Sequence, residues 1–418
     1  MSPTSPATSR RAVARVTLPL YGSAFLEDLV LLYPVYAVLF AEHGLSTTEI
    51  STLFVLWSLT GVVLELPSGV LADRLSRKLL VVAAPLLAAA GFALWTFRPG
   101  FAAFAVGFVL WGAGGAMRSG AREALVYEEL DRVGAADRYA DVMGRALALA
   151  TVAVAAATGI AAPVLAIWGY SGVGVASIAA CVLSAVVAAA LPEHRTGVHP
   201  EAGAAAVAKA QVLWDALGRV RRTPALRYAV LAVPAAVALW GALEEYLGLL
   251  AVEQGVPLPA VPVVVLVVSG GAAVGGLLGG RLGRLGGRAL PGALAAGGVA
   301  LVAGGLLAGW AGTVLMALAF GAFQAGQVVV DAQLQHRIDG GGRATITSLA
   351  GLLTDVAIIG IYAAYGIAAL AAGHAALFAA SGVLYLGVAA ALLAGRPRGA
   401  PLPDQGRDLD SDGVRQVC

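Results

Sequence analysis

The sequence predicts an all-α integral membrane protein, with twelve transmembrane helices arranged as two pseudo-symmetric six-helix bundles. Three observations carry this. Of 418 residues, 59% are hydrophobic and 12% are charged, about half the charge of a soluble domain. Twelve apolar windows reach the roughly 20 residues needed to cross a hydrocarbon core. A charged turn at 69–78, Gly-Val-Leu-Ala-Asp-Arg-Leu-Ser-Arg-Lys, recurs in degraded form 207 positions later at 276–285. That spacing is what a duplicated six-helix unit produces.

The windows lie near 18–41, 48–70, 78–97, 101–121, 146–167 and 170–191, then near 228–251, 258–280, 289–310, 312–334, 345–370 and 375–395. Ala311 alone separates the ninth from the tenth. With the N-terminus in the cytoplasm, 26 of the 27 Lys and Arg residues fall on the cytoplasmic side and Arg98 falls outside. This asymmetry sets orientation, so both termini are expected inside. The chain then divides into a cytoplasmic arm (1–17), a first bundle (18–191), a cytoplasmic linker (192–227), a second bundle (228–395) and a disordered tail (396–418). The first 15 residues share the tail's disordered character. The linker is Arg-rich and holds Pro192, Pro200 and Pro224; residues 203–219 read either as a short surface helix or as a flexible tether.

The first apolar run exceeds 20 residues and lacks a small-residue cleavage site, so it reads as a span and not as a signal peptide. Two cysteines, Cys181 and Cys418, exclude a disulfide framework. No Cys/His cluster has metal-ligand spacing, and there is no nucleophile motif or phosphate-binding Gly loop. The expectation is a protein that is not an enzyme, takes no cofactor and binds no nucleic acid. The bias to Arg, Ala, Val, Leu and Gly fits a high-GC bacterial genome and hence a bacterial inner membrane.

The repeat extends beyond the turn. Gly69, Leu71, Arg74, Leu75 and Arg77 recur as Gly276, Leu278, Arg281, Leu282 and Arg284, with Gly280 in the place of Asp73. Glu42-His43-Gly44 is echoed by Glu253-Gln254-Gly255, and Arg138 and Gly144 by Arg343 and Gly351. Two such halves facing one another leave a cavity near the bilayer midplane.

A charged side chain at mid-bilayer costs about 2.5–3.5 kcal/mol on insertion scales, so each one needs a partner, a wet cavity or a proton. Glu27 and Asp28 sit about nine residues, hence about 14 Å, into the first span. Glu65 lies toward the inner end of the second, on one face with Gly61, Gly69 and Asp73. Glu244 and Glu245 lie in the outer half of the seventh, and Asp355 near the middle of the eleventh. Arg118 is the one base near them in depth; a pairing of Glu65 with Arg118 or Arg122 is one possibility. These acids either couple protons, recognise a cationic substrate, or bond neighbouring helices as permanently neutral groups. Neighbours on a helix point about 100° apart, so one of each adjacent pair can face a cavity squarely. The tenth span carries Gln324, Gln327 and Asp331 as one polar stripe, which lines a cavity or bonds helices together. Tyr33, Tyr36, Trp57, Trp111, Trp240 and Tyr246 are candidates for an aromatic pocket. The glycines at 270, 271, 275 and 276 read as close helix packing.

The turn at 69–78, G-x-L-x-D-R-x-x-R-K, resembles the cytoplasmic loop signature of the major facilitator superfamily (MFS) of secondary transporters. The runs 65–69 and 119–128 resemble a bacterial efflux-permease branch. The resemblance covers about residues 15–395 and implies the two-bundle transporter fold. It implies a cytoplasmic gate formed by Gly69, Asp73, Arg74, Arg77, Lys78 and Glu128. In it Gly69 allows close helix approach, Asp73 faces the N-terminus of the eleventh span near Thr345, and Arg77 pairs with Glu128. Ser76 stands where the signature usually has Gly. The span-four arginine of drug–proton antiporters is missing, with Arg118 too near the inner end, and the span-five antiporter motif survives as Thr158 to Pro163 alone. The function implied is proton-coupled efflux of a small organic or drug-like molecule by alternating access, acting as a monomer in the bilayer. Import of a sugar, organic acid or other metabolite is the alternative, and a non-transporting receptor or accessory protein a more distant one.

Overall fold

The computed structural model describes residues 6–194, 211, 214, 216–338 and 342–394, with side chains from residue 10 onward except 66–74. Helix α1 (Pro6–Asp28) begins well inside the arm expected to be disordered. Val13, Val16, Leu20 and Ala24 recur at helical spacing and all are buried. They face the core where α1 packs on α7 (Tyr139–Ala188). Tertiary burial of an apolar face, which overrides local composition, orders this segment.

Two spans that read as continuous are broken. The first stops at Asp28 and resumes as α2 (Tyr36–Glu42). The seventh, α8 (Pro224–Glu244), resumes as α9 (Leu247–Glu253). Pro34 lies in the first break and has no N–H to continue a helix; the freed Leu32 N–H donates to Ser177 Oγ at 3.1 Å. Within the bilayer such a group must find a protein partner. In α8 the Tyr385 hydroxyl accepts from Trp240 N at 2.8 Å and donates to Ala236 O at 3.2 Å. It thus bridges a pair that a straight helix bonds directly, a recognised cause of bending.

The breaks obey the repeat. Helices α2 and α9 are both seven residues long. The turns that follow them place Gly44 at φ 86° and Gly255 at φ 82°, a left-handed conformation that side chains with a Cβ resist. The duplication read from residue identities is therefore a duplication of backbone geometry.

The other spans are α3 (Thr47–Arg74), α4 (Arg77–Phe97), α5 (Phe101–Arg118), α10 (Val261–Gly283), α11 (Ala289–Leu306), α12 (Gly309–His336), α13 (Arg343–Ala368) and α14 (His374–Ala394). Ten segments among the described residues are long and apolar enough to cross a bilayer. One of them, Ala136–Ala188, holds two crossings separated by a turn at Gly169 (φ 61°, ψ −162°), and the α1–α2 pair completes twelve. The ninth and tenth spans part at Leu307 and Ala308, a few residues before Ala311. A segment expected as loop, Ala121–Arg132, is helix α6, set off from α5 by a turn at Ser119 and Gly120. It buries Ala121, Leu125, Val126, Glu129 and Leu130 and leaves Glu123, Glu128, Asp131 and Arg132 exposed.

In the first bundle α1 packs on α7, α3 on α5, and α4 on α5 and α7. In the second, α8 packs on α12 and α13, α10 on α12, and α11 on α12 and α14. The α10–α12 crossing is as close as the glycine pattern predicts: a Cβ on Gly321 would lie 2.8 Å from Gly271 O. The bundles meet where α3 packs on α13, α7 on α10 and α2 on α9. Of the linker, residues 216–222 are helical, and Ala216 and Val220 are buried against the main core. That part is docked to the protein; residues 203–210 lie outside the described residues.

Candidate functional site

A cavity of about 580 Å³ opens between the bundles. From the first bundle, Glu27 and Asp28 reach it from the last turn of α1, Trp57, Gly61 and Glu65 from one face of α3, and Trp111 and Arg118 from α5. From the second come Gly241 and Glu245 at the α8 break, and Asp355, Ile358 and Tyr362 from α13. Five sequence-singled acids, Glu27, Asp28, Glu65, Glu245 and Asp355, thus converge on one space. Asp28 and Glu245 stand at the two helix breaks, Asp28 as the last residue of α1 and Glu245 just after α8.

Arg118 forms an ion pair with Glu27, and Arg122 approaches the other Glu27 oxygen at 3.5 Å. The Glu27 side chain is 15% exposed and that of Arg118 28%. Both arginines therefore serve Glu27. Arg118 also sits in the last turn of α5, where the helix dipole favours a cation.

One wall is aromatic. Trp111 stacks on Tyr33 at 5.4 Å and on Trp57 at 4.9 Å between ring centroids. Phe92 and Tyr36 meet Trp111 edge-on at 5.5 and 6.3 Å. Of the six aromatic candidates, Tyr33, Trp57 and Trp111 line the cavity. Tyr36 and Tyr246 are buried at its closed end, and Trp240 packs on Phe320 elsewhere in the core.

The closed end lies on the side of the Gly44 and Gly255 turns, away from the arginine-rich turns. The Tyr36 hydroxyl donates to Glu245 Oε2. Ser51 Oγ and the Tyr246 hydroxyl share a 2.8 Å hydrogen bond, and Thr48 Oγ1 donates to Gly366 O at 2.7 Å. Tyr246 stacks on Tyr365 at 3.8 Å, and Tyr365 bonds His374 Nδ1 at 2.8 Å. Glu253 accepts from His374 N and Ala375 N, capping α14. Three of these links, Tyr36–Glu245, Ser51–Tyr246 and Thr48–Gly366, join the two bundles. At the other end Glu65 and Asp355 are exposed.

On the arginine-rich side Arg77 forms an ion pair with Glu128. Ser76 Oγ caps α4 by accepting from Leu79 N at 3.0 Å. This gives a physical reason for a serine where the signature has glycine. The Glu193 carboxylate accepts from Ser76 Oγ, Arg77 N (2.8 Å) and Lys78 N (3.4 Å). Negative charge at a helix N-terminus is favourable. Glu129 accepts from His194 N at 2.7 Å and contacts its Nδ1 at 2.9 Å. The end of α7 is thereby tied to α4 and α6. Sequence reasoning missed Glu193 and Glu129; the available signal was a carboxylate at a span boundary, with nothing local to name its partner. The side chains of Asp73 and Arg74, and the packing of Gly69, lie outside the described residues.

Four candidates fall elsewhere. Glu244 is exposed and does not line the cavity. Gln324 packs on α10, its Cγ 3.5 Å from where a Cβ on Gly276 would be. Gln327 is half-buried and Asp331 exposed on the same helix, and neither lines the cavity.

The fold has counterparts among solved structures. The nucleoside transporter NupG superposes with a TM-score of 0.70 at 12% identity, covering 91% of this chain and 98% of that one. A single-site mutant of NupG gives 0.72 at 12% identity, over 91% and 99%. An autoinhibited peptide transporter of the POT family gives 0.68 at 16% identity, over 94% and 98%. No curated protein sequence matches the chain. The sequence matches the family described as Major Facilitator Superfamily over residues 20–361, and with the twelve-span, two-bundle fold this places the chain in the major facilitator superfamily of membrane transporters.

Proposed function

We propose that the protein is a proton-coupled secondary transporter that exports a small organic molecule by alternating access. The observation that carries this reading is the cavity itself. Carboxyl groups from both bundles line it, and hydrogen bonds between the bundles close one end. A carboxyl in such a site takes and releases a proton as its surroundings change between the two access states. Rocking of the bundles exchanges the closed end for the open one around a fixed site.

The arginine distribution orients the chain with both termini in the cytoplasm of a bacterial cell, so the closed end is external and the Glu65–Asp355 end internal. The 69–78 turn then forms the inner gate, with Gly69, Asp73, Arg74 and Lys78 acting beside the Arg77–Glu128 pair. The bundle interface needs no second copy of the chain, which supports a monomer. The protein carries its substrate across unchanged. Nucleoside and peptide transport by the similar structures supports carriage of small molecules in general; at 12% and 16% identity it names no cargo here.

The test is flux in proteoliposomes under an imposed pH gradient, against a panel of cationic, neutral and anionic compounds. Export coupling predicts substrate movement against the direction of the proton gradient, abolished by an uncoupler. Movement with the proton gradient would reassign the protein as an importer. Equal flux with and without the gradient would remove proton coupling.

A further inference from the structure

We infer that the cavity selects an organic cation carrying an aromatic or bulky apolar body, and that its head group and a proton compete for the Glu245 carboxyl. This rests on the transport reading above and supplies its substrate class.

The charge balance points first. Among the described residues, five carboxyl groups and one guanidinium line the cavity. The guanidinium, Arg118, and the nearby Arg122 are both committed to Glu27. Among the described residues no Lys or Arg forms an ion pair with Asp28, Glu245 or Asp355. An anionic guest would enter against this field, whereas a cation is drawn into it.

The wall is complementary in a second way. Tyr33, Trp111 and Trp57 form a continuous stack along one side of the cavity. The outward faces of Tyr33 and Trp57 are electron-rich surfaces suited to a quaternary or protonated amine. Trp57 and Tyr33 are also broad apolar contacts for an attached ring.

Glu245 joins these features. Its Oε2 accepts from Tyr36, whose ring lies 6.3 Å from that of Trp111. The carboxylate therefore sits at the edge of the aromatic wall. Oε1 makes no hydrogen bond to protein among the described residues and is left for an ammonium group or a proton. The titratable groups around it are Tyr36 of α2, Glu244 on its own helix, the adjacent Tyr246, and Tyr362 of α13. None of them is cationic, so none can replace the guest. Because the Tyr36–Glu245 bond also joins the bundles at the closed end, the group that holds the guest is the group that holds the gate.

The full-length protein, purified in detergent, is titrated with tetraphenylphosphonium, benzyltrimethylammonium and naphthylmethylammonium. Tetraphenylborate serves as the anion of matched shape. Tryptophan fluorescence reports binding. At least one cation is expected to bind saturably and tetraphenylborate not. Lowering the pH from 8 to 5.5 should weaken the cation at least tenfold. Glu245→Gln and, separately, Trp57→Leu should weaken it at least tenfold at pH 8 and, for Glu245→Gln, flatten the pH dependence. The wild-type cation–anion comparison and pH titration test the cation site even where a variant fails to fold, and Asp28→Asn and Asp355→Asn, which should keep the pH dependence, test its assignment to Glu245. Equal binding of borate, no saturable cation, or cation affinity indifferent to pH overturns the inference. Cation binding with these signatures but without gradient-driven flux would remove the coupled-transport reading and leave the cation site. Gradient-driven flux of neutral or anionic compounds without cation binding would do the reverse.

Discussion

Tyr36 and Glu245 stand 209 positions apart and in opposite bundles, yet the Tyr36 hydroxyl donates directly to the Glu245 carboxylate. Each residue sits at a helix break, Tyr36 as the first residue of α2 and Glu245 in the turn between α8 and α9. A closing contact between bundles is thus placed on the two positions where the repeat interrupts its spans. Of the three hydrogen bonds that join the bundles at that end, this one has an ionisable acceptor.

Tyr36→Phe keeps the ring and its packing on Phe40 and Phe54 while removing the donor. The expected result is a shift toward opening at the closed end. In a background lacking Cys181 and Cys418, a cysteine at Thr47 should react several-fold faster with a membrane-impermeant maleimide when Tyr36 is Phe. An unchanged labelling rate would mean that the aromatic and Ser51–Tyr246 contacts close the end without this bond.

Glu27 and Asp28 are adjacent but differ in their partners: Glu27 holds the ion pairs with Arg118 and Arg122. Both arginines are largely buried, so Glu27→Gln leaves two like charges without that ion-pair partner. Breaking such a pair costs about 3 kcal/mol, and thermal unfolding in detergent should fall accordingly. Glu27→Gln with Arg118→Gln should be more stable than Glu27→Gln alone, the non-additivity of a direct pair. Asp28→Asn should leave stability near that of the parent and lower gradient-driven flux. If Asp28→Asn transports normally, Asp28 is dispensable and proton exchange rests on Glu245, with Asp355 the other candidate.

Hydropathy and loop charge made the twelve spans and the two halves legible, because both depend on residue type summed over a window. The breaks were not, since 29–41 and 245–251 are as apolar as a continuous span and a window average is blind to backbone continuity. Pro34 marked one break and no residue type marked the other. The acids were legible as expensive groups, and five of them do converge. Which ones converge was not legible, because adjacency does not distinguish Glu245, which lines the cavity, from Glu244, which does not, whereas Glu27 and Asp28 both line it. Glu193 bonds to residues more than a hundred positions away, a relation that no local spacing encodes.

The α4 N-terminus offers a test of the gate's scaffold. Ser76→Ala removes the cap and should cost about 1 kcal/mol, while Ser76→Gly, the residue usual in the signature, should cost a few tenths. Glu193→Ala strips the carboxylate from two backbone amides and should cost about 1–2 kcal/mol. These differences are measurable as unfolding midpoints. Parental stability in Ser76→Ala would show that the side-chain cap contributes nothing.

Close approach of α10 and α12 predicts a sharp contrast between glycines on one helix. A side chain at Gly275 would collide with the Gly321 backbone, while one at Gly280 meets nothing within 4 Å. Gly275→Leu should abolish recovery of monodisperse protein. Gly280→Ala should be neutral or stabilising by about 0.5 kcal/mol, since Ala favours the helix. Recovery of folded Gly275→Leu would contradict the packing.

The gate signature and its copy should behave asymmetrically. Arg77 holds Glu128, whereas its repeat partner Arg284 is exposed and forms no ion pair among the described residues. The copy also has Gly280 where the signature has Asp73, so it lacks the acid that could meet a helix N-terminus across the gate. Asp73→Asn changes charge but not size and should lower flux several-fold with normal membrane insertion. Arg77→Ala should do the same by freeing Glu128. Arg284→Ala, at the matching place in the other bundle, should leave flux within a factor of two. Insertion is checked by membrane yield and flux by the gradient assay. Equal losses at Arg77 and Arg284 would mean that both turns gate, and that the missing acid in the copy is replaced by a partner elsewhere.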